Sequence, residues 1–238
     1  MNARKRVALV TGGTRGIGAA IVRRLDAEGF TVVFSGRTQS SVDRALARFQ
    51  SEGLEAAGRP ADARTEADQE ALIGFVDGRF GRLDVLVNNA GIGGFERVDR
   101  MEPRAFREVV ETNLLGPYLA LHYAAPLMKR NGGGFVVNIA SLAGINAFAG
   151  GCAYNASKFG LLGFSDAAML DLRHEGIRVA VVLPGSVATE FGHSHGNRDS
   201  SWMLAPEDVA EAVADLVRFP DRAIPSRIEL RPSRPPKK

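Results

Sequence analysis

Two side chains that could exchange a proton with a substrate stand four residues apart in the segment YNASK, residues 154–158. The apolar run FGLLGFS directly after this segment predicts a helix, on which Tyr154 and Lys158 share one face. A phenol titrates near pH ~10, and a cation about 4 Å away favours the phenolate by roughly 4 kcal/mol at an effective dielectric of about 20. The pair therefore predicts a general acid or base. The alternative is a surface pair without chemistry, and the rest of the chain must decide.

A glycine-rich segment, TGGTRGIG at residues 11–18, lies between a predicted strand and a predicted helix. Its glycines at 12, 16 and 18 follow the spacing G-x-x-x-G-x-G, which differs from the commoner G-x-G-x-x-G. Such a turn lets the backbone approach a pyrophosphate, whose charge the amides of the helix N-terminus then hold. The segment predicts a dinucleotide site. The alternative is a turn whose glycines serve backbone geometry only.

Short apolar runs alternate with amphipathic segments along the chain. Strands are predicted at VALV, TVVF, LDVLV, FVVNIA, IRVAVVL and RIEL, which begin at residues 7, 31, 83, 135, 177 and 227, with a weaker strand at 55–60. Helices are predicted at residues 16–28, 40–53, 65–79, 103–131, 154–175 and 206–218. The strands are apolar throughout, as in parallel sheets covered on both faces. We therefore expect an α/β fold, a doubly wound parallel sheet of Rossmann type with about seven strands and helices on both faces.

Composition favours one globular domain over residues 1–238, with 45% hydrophobic and 24% charged residues. The net charge of +3 comes from 30 basic and 27 acidic residues spread along the chain, so no nucleic-acid partner is expected. The basic end RPSRPPKK predicts a flexible tail at about 232–238.

Cysteine usage and the N-terminus favour a cytoplasmic protein. Cys152 is the single cysteine, which excludes an intramolecular disulfide and fits a reducing compartment. The N-terminal segment leaves no room for a signal peptide, and no apolar run approaches the ~18 residues of a membrane span, so no membrane partner is expected. Cys152 precedes Tyr154 by two residues and would border a substrate cleft, without an assigned role.

Five segments together resemble the short-chain dehydrogenase/reductase family: TGGTRGIG, NNAG at 88–91, the serine of IASLAG, YNASK and PGSVATEF, in that order over roughly residues 5–219. The resemblance implies hydride transfer between a nicotinamide and a carbonyl carbon, with Tyr154 as the acid or base. Lys158 would lower the pKa of that tyrosine and hold the nicotinamide ribose. Ser141 would polarise the substrate oxygen, and Asn113 would support a water relay. The alternative for Asn113 is a local backbone hydrogen bond within its helix.

The cofactor is predicted from the end of the second strand, where an acidic residue would accept hydrogen bonds from the ribose of NAD. This chain has FSGRT there. Arg37 offers a cationic fork suited to a 2′-phosphate, with Ser35 and Arg15 beside it. We therefore expect NADP(H). The alternative is that both arginines are solvated loop residues.

The remaining cofactor contacts rest on the resemblance. Asp62 is expected near the adenine ring, or else it caps the helix that begins near Thr65. The NNAG segment would line the adenine ribose and partly serve the sheet, and PGSVATEF would contact the nicotinamide carboxamide. The full expected set is Gly12, Thr14, Arg15, Gly16, Ile17, Gly18, Ser35, Arg37, Asp62, Asn89, Ala90, Gly91, Tyr154, Lys158, Pro184, Gly185, Val187 and Thr189.

Residues 190–205 are expected to form a substrate lid that carries His193, His195 and Trp202. Two histidines in a polar loop lack a third ligand, so no metal is predicted. The resemblance implies a small carbonyl compound or alcohol as substrate, so we expect a 3-oxoacyl reductase or a general carbonyl reductase. The alternative is a non-catalytic NADP-binding sensor or scaffold on the same fold. A homodimer or homotetramer built through the long fourth and fifth helices is expected.

Overall fold

The computed structural model describes residues 5–191 and 200–236. The strands described are β1 (Val7–Val10), β2 (Thr31–Gly36), β3 (Ala56–Pro60), β4 (Val85–Asn88), β5 (Gly134–Ile139), β6 (Ile177–Pro184) and β7 (Arg227–Leu230). The α-helices described are α1 (Gly16–Ala27), α2 (Gln39–Ser51), α3 (Glu66–Phe80), α4 (Pro103–Val110), α5 (Gly116–Arg130), α6 (Cys152–Leu172) and α7 (Pro206–Arg218). The strands and helices alternate as the sequence predicts.

The seven strands form one parallel sheet in the order β3-β2-β1-β4-β5-β6-β7. The order reverses between β1 and β4, and ligands of open α/β sheets bind in the crevice at such a reversal, outside the carboxyl ends of the strands. The predicted doubly wound α/β fold is therefore confirmed.

Each face of the sheet is covered by its own group of helices. On one face α1, α2 and α7 bury residues such as Ile21, Phe49 and Val213, and on the other α3, α5 and α6 bury residues such as Leu72 and Met128. Strand β1 is buried along its whole length because its side chains alternate between these two cores. This double covering explains why the strands read as unbroken apolar runs.

The helix predicted at 103–131 is present as α4 and α5, but its hydrogen-bonding pattern changes between them. A π-helical turn, Glu111–Leu115, joins α4 to α5, and the Gly116 N–H donates to the Glu111 carbonyl. Pro117 follows and has no N–H with which to bond the carbonyl of Asn113. Single π turns of this kind occur frequently at functional sites.

Two further segments bear on the expectations. The described helices include none with the length and apolarity that a bilayer crossing requires. The start of the predicted tail lies beside the end of β6, because a side chain at Gly185 would come 3.0 Å from Pro232 Cδ.

Candidate active site

Tyr154 and Lys158 lie on the first two turns of α6, above the carboxyl edge of the sheet. The Lys158 Nζ is 5.8 Å from the centroid of the Tyr154 ring, so the predicted pairing on one helix face is present. Lys158 is buried, with only 5% of its surface exposed, and its Nζ donates to the Ile139 carbonyl at 2.9 Å. Ile139 ends β5, so this hydrogen bond ties the helix to the strand that precedes Ser141.

Burial controls the titration of both groups. Removal from water disfavours an ammonium, and it lowers the pKa of Lys158 from 10.5 to about 8. Burial also raises the pKa of the Tyr154 phenol, and a hydrogen bond with the Ser141 side chain opposes this rise without overcoming it. The net shift of the Tyr154 pKa is therefore upward, and the expectation that Lys158 makes this phenol more acidic stays a prediction. The physical reason for the rise is that burial removes the phenolate from water, which costs more than the interaction with Ser141 returns.

Ser141 follows β5 and begins a 3₁₀ turn, Leu142–Gly144. Its Oγ accepts a hydrogen bond from the Ala143 N–H at 3.1 Å and lies 3.5 Å from the Pro184 carbonyl oxygen at the end of β6. The Ser141 side chain also lies close enough to the Tyr154 phenol to lower the pKa of that phenol. The Ser141 hydroxyl and the Tyr154 phenol therefore lie near each other beside the buried lysine.

Asn155 is a site residue that the sequence reasoning missed. Its Nδ2 donates to the Ala143 carbonyl at 2.7 Å and to the Asn146 carbonyl at 3.1 Å, and its Oδ1 accepts from the Phe148 N–H at 3.3 Å. Asn155 thus fixes the loop that begins at Ser141. The signal available in the sequence was a polar residue inside YNASK, directly after Tyr154.

Asn113 lies in the π turn and is fully buried. Its amide pairs with the backbone of Ile92, accepting from the N–H at 2.8 Å and donating to the carbonyl at 3.0 Å. The same Nδ2 lies 3.1 Å from Ser157 Oγ, whose hydroxyl donates to the Tyr154 carbonyl at 2.8 Å. The alternative of a local bond within its own helix is therefore wrong for the Asn113 side chain. Ser157, also missed, links the π turn to α6.

The glycine turn between β1 and α1 is shaped by close backbone approach. Gly12 has a φ of +65°, and a Cβ there would lie 2.8 Å from Ala90 Cα. A Cβ at Gly18 would overlap the Gly12 carbonyl oxygen. The N-cap residue Arg15 makes no side-chain capping hydrogen bond, so the first-turn amides of α1 suit an anion. This donor set fits a pyrophosphate, and Ile17 in the same turn packs on the core.

The NNAG segment holds this turn in place. Asn89 Nδ2 donates to the carbonyls of Thr11 and Gly12, both at 3.0 Å. The Thr11 Oγ1 accepts from the N–H groups of Asn89 and Ala90, both at 3.1 Å. Thr11 is buried and was missed as a site residue, although it opens the motif TGGTRGIG. The next residue, Gly91, lies against the Asn113 side chain, so the turn and the π helix are connected.

The basic residues expected at a 2′-phosphate are exposed. Arg37 follows β2, and its side chain is 67% exposed and 4.0 Å from Glu108. Arg15 forms an ion pair with Glu190 at 2.8 Å. Ser35 is buried within β2, where its carbonyl accepts from the Gly13 N–H at 2.9 Å. Thr14, in the glycine turn, contacts the second strand, because a Cβ at Gly36 would meet its methyl group.

Asp62 is held by a neighbouring cation. Its carboxylate accepts from the Arg64 backbone N–H and side chain at 2.7–3.2 Å, and this pairing lowers the pKa of Asp62. Thr65 is the N-cap of α3 and receives no side-chain capping bond. Asp62 therefore does not cap that helix as the alternative proposed. Arg64 also reaches Glu108 at 3.1 Å, so this edge of the crevice carries a chain of ion pairs.

The segment after β6 closes the crevice on its other side. Pro184 ends β6, and the Gly185 N–H donates to the Leu230 carbonyl at 2.8 Å. Val187 pairs with Leu204 in an isolated bridge, which joins the two ends of the expected lid. Thr189 lies beside Gly16, whose added Cβ would be 3.4 Å from the threonine methyl.

Of the three side chains expected in the substrate lid, His193 and His195 lie outside the described residues. Within residues 5–191 and 200–236, no group of three or more His, Cys, Asp or Glu side chains is arranged to hold a metal.

The fold and the site together define a Rossmann-type oxidoreductase, and comparison with known proteins gives the family. Residues 6–199 match the family model described as short chain dehydrogenase. The chain is 37% identical over 225 residues to a putative ketoacyl reductase of Streptomyces coelicolor, covering 93% of this chain and 86% of that protein. It is 34% identical over 217 residues to the uncharacterized oxidoreductase YxjF of Bacillus subtilis, covering 91% and 83%. The chain belongs to the short-chain dehydrogenase family, as the order of its motifs predicts.

Solved structures agree with this assignment. A metagenomic short-chain oxidoreductase in complex with NADP superposes with a TM-score of 0.84 at 36% identity, covering 97% of this chain and 98% of that one. A variant of actinorhodin polyketide ketoreductase with NADPH gives a TM-score of 0.89 at 33% identity, covering 98% of each chain.

The lowered pKa of Lys158 predicts a specific dependence of stability on pH. The unfolded chain keeps this lysine protonated up to about pH 10.4, so between pH 8 and that value the unfolded state binds more protons than the folded state. The free energy of unfolding of the wild type should therefore rise with pH across this window, by roughly 3 kcal/mol relative to Lys158→Met. Urea denaturation at several pH values measures the difference.

The exposed Lys129, paired with Glu175 on the surface, provides the control, because Lys129→Met should follow the wild-type pH dependence. If the free energies of unfolding of the wild type and Lys158→Met changed in parallel with pH, they would contradict a lowered pKa at this position.

Proposed function

We propose that this protein is an NADP(H)-dependent oxidoreductase that interconverts a ketone or aldehyde and an alcohol, with Tyr154 as the acid or base. The observation that carries the proposal is the placement of the Ser141 hydroxyl and the Tyr154 phenol beside the buried Lys158. This pair lies at the carboxyl edge of the sheet, on the same edge as the glycine turn. A protein that only bound the dinucleotide would have no need of a phenol there.

The residues of this chain fit the pyrophosphate and the nicotinamide ribose of the dinucleotide. The glycine turn with the first-turn amides of α1 would hold the pyrophosphate, and Lys158 would hold the nicotinamide ribose. Thr189 and Val187 would border the nicotinamide carboxamide. When bound, NADPH supplies the hydride that a carbonyl carbon accepts, and that chemistry belongs to the cofactor.

The raised pKa of Tyr154 suits the reductive direction. A phenol that remains protonated at neutral pH is ready to donate, so the Tyr154 O–H gives its proton to the carbonyl oxygen as the C=O double bond becomes a single bond. The Ser141 hydroxyl donates a second hydrogen bond to that oxygen and fixes its position. Reprotonation of the phenolate passes through Lys158, whose pKa of about 8 lets it release a proton near neutral pH.

Asn113 completes this proposal as the start of a proton relay. Its side-chain amide is fully used by Ile92 and Ser157, so the side chain positions the π turn. Its backbone carbonyl has no α-helical partner four residues on, because Pro117 lacks an N–H. That carbonyl would accept a hydrogen bond from a water that resupplies Lys158.

Tyr154→Phe removes the proton and keeps the ring. We expect kcat for carbonyl reduction to fall by about 10²- to 10⁴-fold, the usual range for loss of a general acid, while the Kd for NADPH stays within about threefold. NADPH absorbance with a panel of ketones measures turnover, and fluorescence titration measures binding.

The matched control is Tyr123→Phe, which removes an exposed phenol bonded to Glu66 and should turn over at the wild-type rate. Undiminished turnover in Tyr154→Phe would refute the acid role. A wild type that binds NADPH but reduces no carbonyl compound would favour the sensor or scaffold.

Preference for NADP(H) over NAD(H) is part of the proposal. It is supported by Arg37 and Arg15 at the two sides of the turn, by the lack of an acidic residue in FSGRT, and by the NADP and NADPH carried by similar structures. Both arginines now pair with exposed carboxylates, Glu108 and Glu190, which a phosphate dianion would outcompete.

Arg37→Ala tests this preference. The lost charge-assisted contact, worth about 1.5–3 kcal/mol, should raise the KM for NADPH by roughly 10- to 100-fold and leave the KM for NADH unchanged. The control is Arg44→Ala on the exposed face of α2. Steady-state rates with both cofactors decide, and a wild type that prefers NADH would refute the proposal.

Self-association through the long helices is a further part of the proposal. Five large apolar side chains are exposed on α4, the π turn, α5 and α6: Phe106, Leu115, Tyr118, Phe159 and Leu170. Tyr118 contacts Phe164 of α6, so α5 and α6 lie side by side at this surface. Exposed apolar patches of this kind mark association sites, and the proposed occupant is a second copy of the chain.

A charge in the middle of this surface should separate the copies. We expect Phe159→Glu to shift the protein from dimer or tetramer to monomer in sedimentation velocity. Phe219→Glu, at an exposed phenylalanine after α7, should leave the assembly intact. A monomeric wild type would refute the proposal.

A further inference from the structure

Three phenylalanines from distant parts of the chain cluster beside the Tyr154 ring, and two of them contact it. Phe95 meets it edge-on at a centroid distance of 5.3 Å, and Phe191 lies at 5.9 Å. Phe148 lies 6.0 Å from Phe95 and extends the same wall. Their exposed fractions are 48%, 39% and 48%, so each ring leaves a large apolar face uncovered. Exposed aromatic surface beside a reactive hydroxyl is the usual lining of a ligand site.

The backbone is built to hold these rings together. A Cβ at Gly93 would come 2.8 Å from the Phe95 ring and 3.4 Å from the Phe191 ring, so a residue without a side chain lets both approach. The loop that carries Phe95 pairs with the loop after Phe148 through a bridge between Glu96 and Gly151.

The second of these loops is fixed by α6. Asn155 Oδ1 accepts from the Phe148 N–H, and a Cβ at Gly151 would come 2.7 Å from the Phe148 ring. The same asparagine holds the loop that begins at Ser141, so the aromatic wall and the reactive hydroxyl are positioned by one residue.

The charged side chains next to the wall are engaged locally. Arg97 pairs with Asp99 at 3.0 Å, and the Glu96 carboxylate accepts from the Arg97 N–H at 2.8 Å. On the other side of Glu96, the thiol of Cys152 lies 3.5 Å from the Met101 sulfur, which adds soft, weakly polar surface. Among residues 5–191 and 200–236, the wall therefore offers aromatic and sulfur contacts, and the arginine next to it is already paired with a carboxylate.

We propose that the substrate is an uncharged ketone whose carbonyl is attached to, or part of, an aromatic or alicyclic ring system. The ring system stacks between Phe95, Phe148 and Phe191 while its carbonyl oxygen meets the hydroxyls of Tyr154 and Ser141. This inference rests on the proposed function and names its substrate class. In the step, the carbonyl carbon accepts a hydride from NADPH, the oxygen takes the Tyr154 proton, and the products are a secondary alcohol and NADP⁺.

Matched ketones test the class. We expect kcat/KM to be at least about tenfold higher for acetophenone and 1-tetralone than for 2-butanone, because a ring buries far more apolar surface. The kcat/KM for acetophenone should likewise exceed the kcat/KM for 4-acetylbenzoate, which adds one carboxylate to the same ring. Acetoacetyl N-acetylcysteamine supplies an acyclic 3-oxoacyl thioester for comparison.

Variants assign the effect to the wall. Phe95→Leu, Phe148→Leu and Phe191→Leu should each lower the ratio of kcat/KM for 1-tetralone to that for 2-butanone by about three- to tenfold, the worth of one aromatic contact. Phe219→Leu, an equally exposed phenylalanine elsewhere, is the control and should leave the ratio unchanged. Calorimetric binding of 1-tetralone to Tyr154→Phe, with and without Phe95→Leu, gives a readout that does not depend on turnover.

The two proposals fail in different ways. Reduction of 2-butanone or the thioester at rates equal to or above those of the ring ketones would overturn the ring-ketone inference and leave the oxidoreductase proposal standing. An unchanged ratio in all three phenylalanine variants would also overturn the inference. Absence of turnover with every carbonyl compound would overturn the proposed function itself, whatever the calorimetry shows.

Discussion

The burial of one ammonium group sets the chemistry of this site. Lys158 is enclosed beneath the edge of the sheet and donates to the carbonyl that ends β5, so its charge is maintained against a desolvation cost. The cost lowers the pKa of Lys158, and the burial of Tyr154 itself raises the pKa of the neighbouring phenol. A weakly acidic phenol beside an easily deprotonated lysine is the arrangement on which the proposed proton transfer rests. The same pair exposed on a helix surface would titrate close to its ordinary values.

This burial requires a rigid surround, and amide side chains provide it. Asn113 joins the loop after β4 to α6 through Ser157, and Asn155 joins α6 to the loop after β5. Each amide bonds backbone groups that strands or helices leave unpaired, which is how irregular segments become fixed. The loop after β4 carries Phe95, and the loop after β5 carries Ser141. The hydroxyls and the aromatic wall are thus held by one connected network.

The glycine turn depends on the same connections. Asn89 bonds the carbonyls of the turn, and Gly91 lies against Asn113, so the glycine turn and the π turn share the loop after β4. Exposed ion pairs at Arg15 and Arg37 contribute little to stability because water screens them. Their arginines therefore remain free to exchange a carboxylate partner for a phosphate.

The sequence by itself determined the order of strands and helices, the doubly wound sheet, the family, and the adjacency of Tyr154 and Lys158, because each follows from local periodicity or from spacing along one helix. It missed Thr11, Asn155 and Ser157 although they lie inside the quoted motifs, since a hydrogen bond to a distant backbone group has no local pattern. Only the tertiary structure decided the direction of the phenol's pKa, which depends on how much of the ring packing removes from water. The meeting of three phenylalanines likewise required the folded sheet, which brings loops far apart in the chain to one edge.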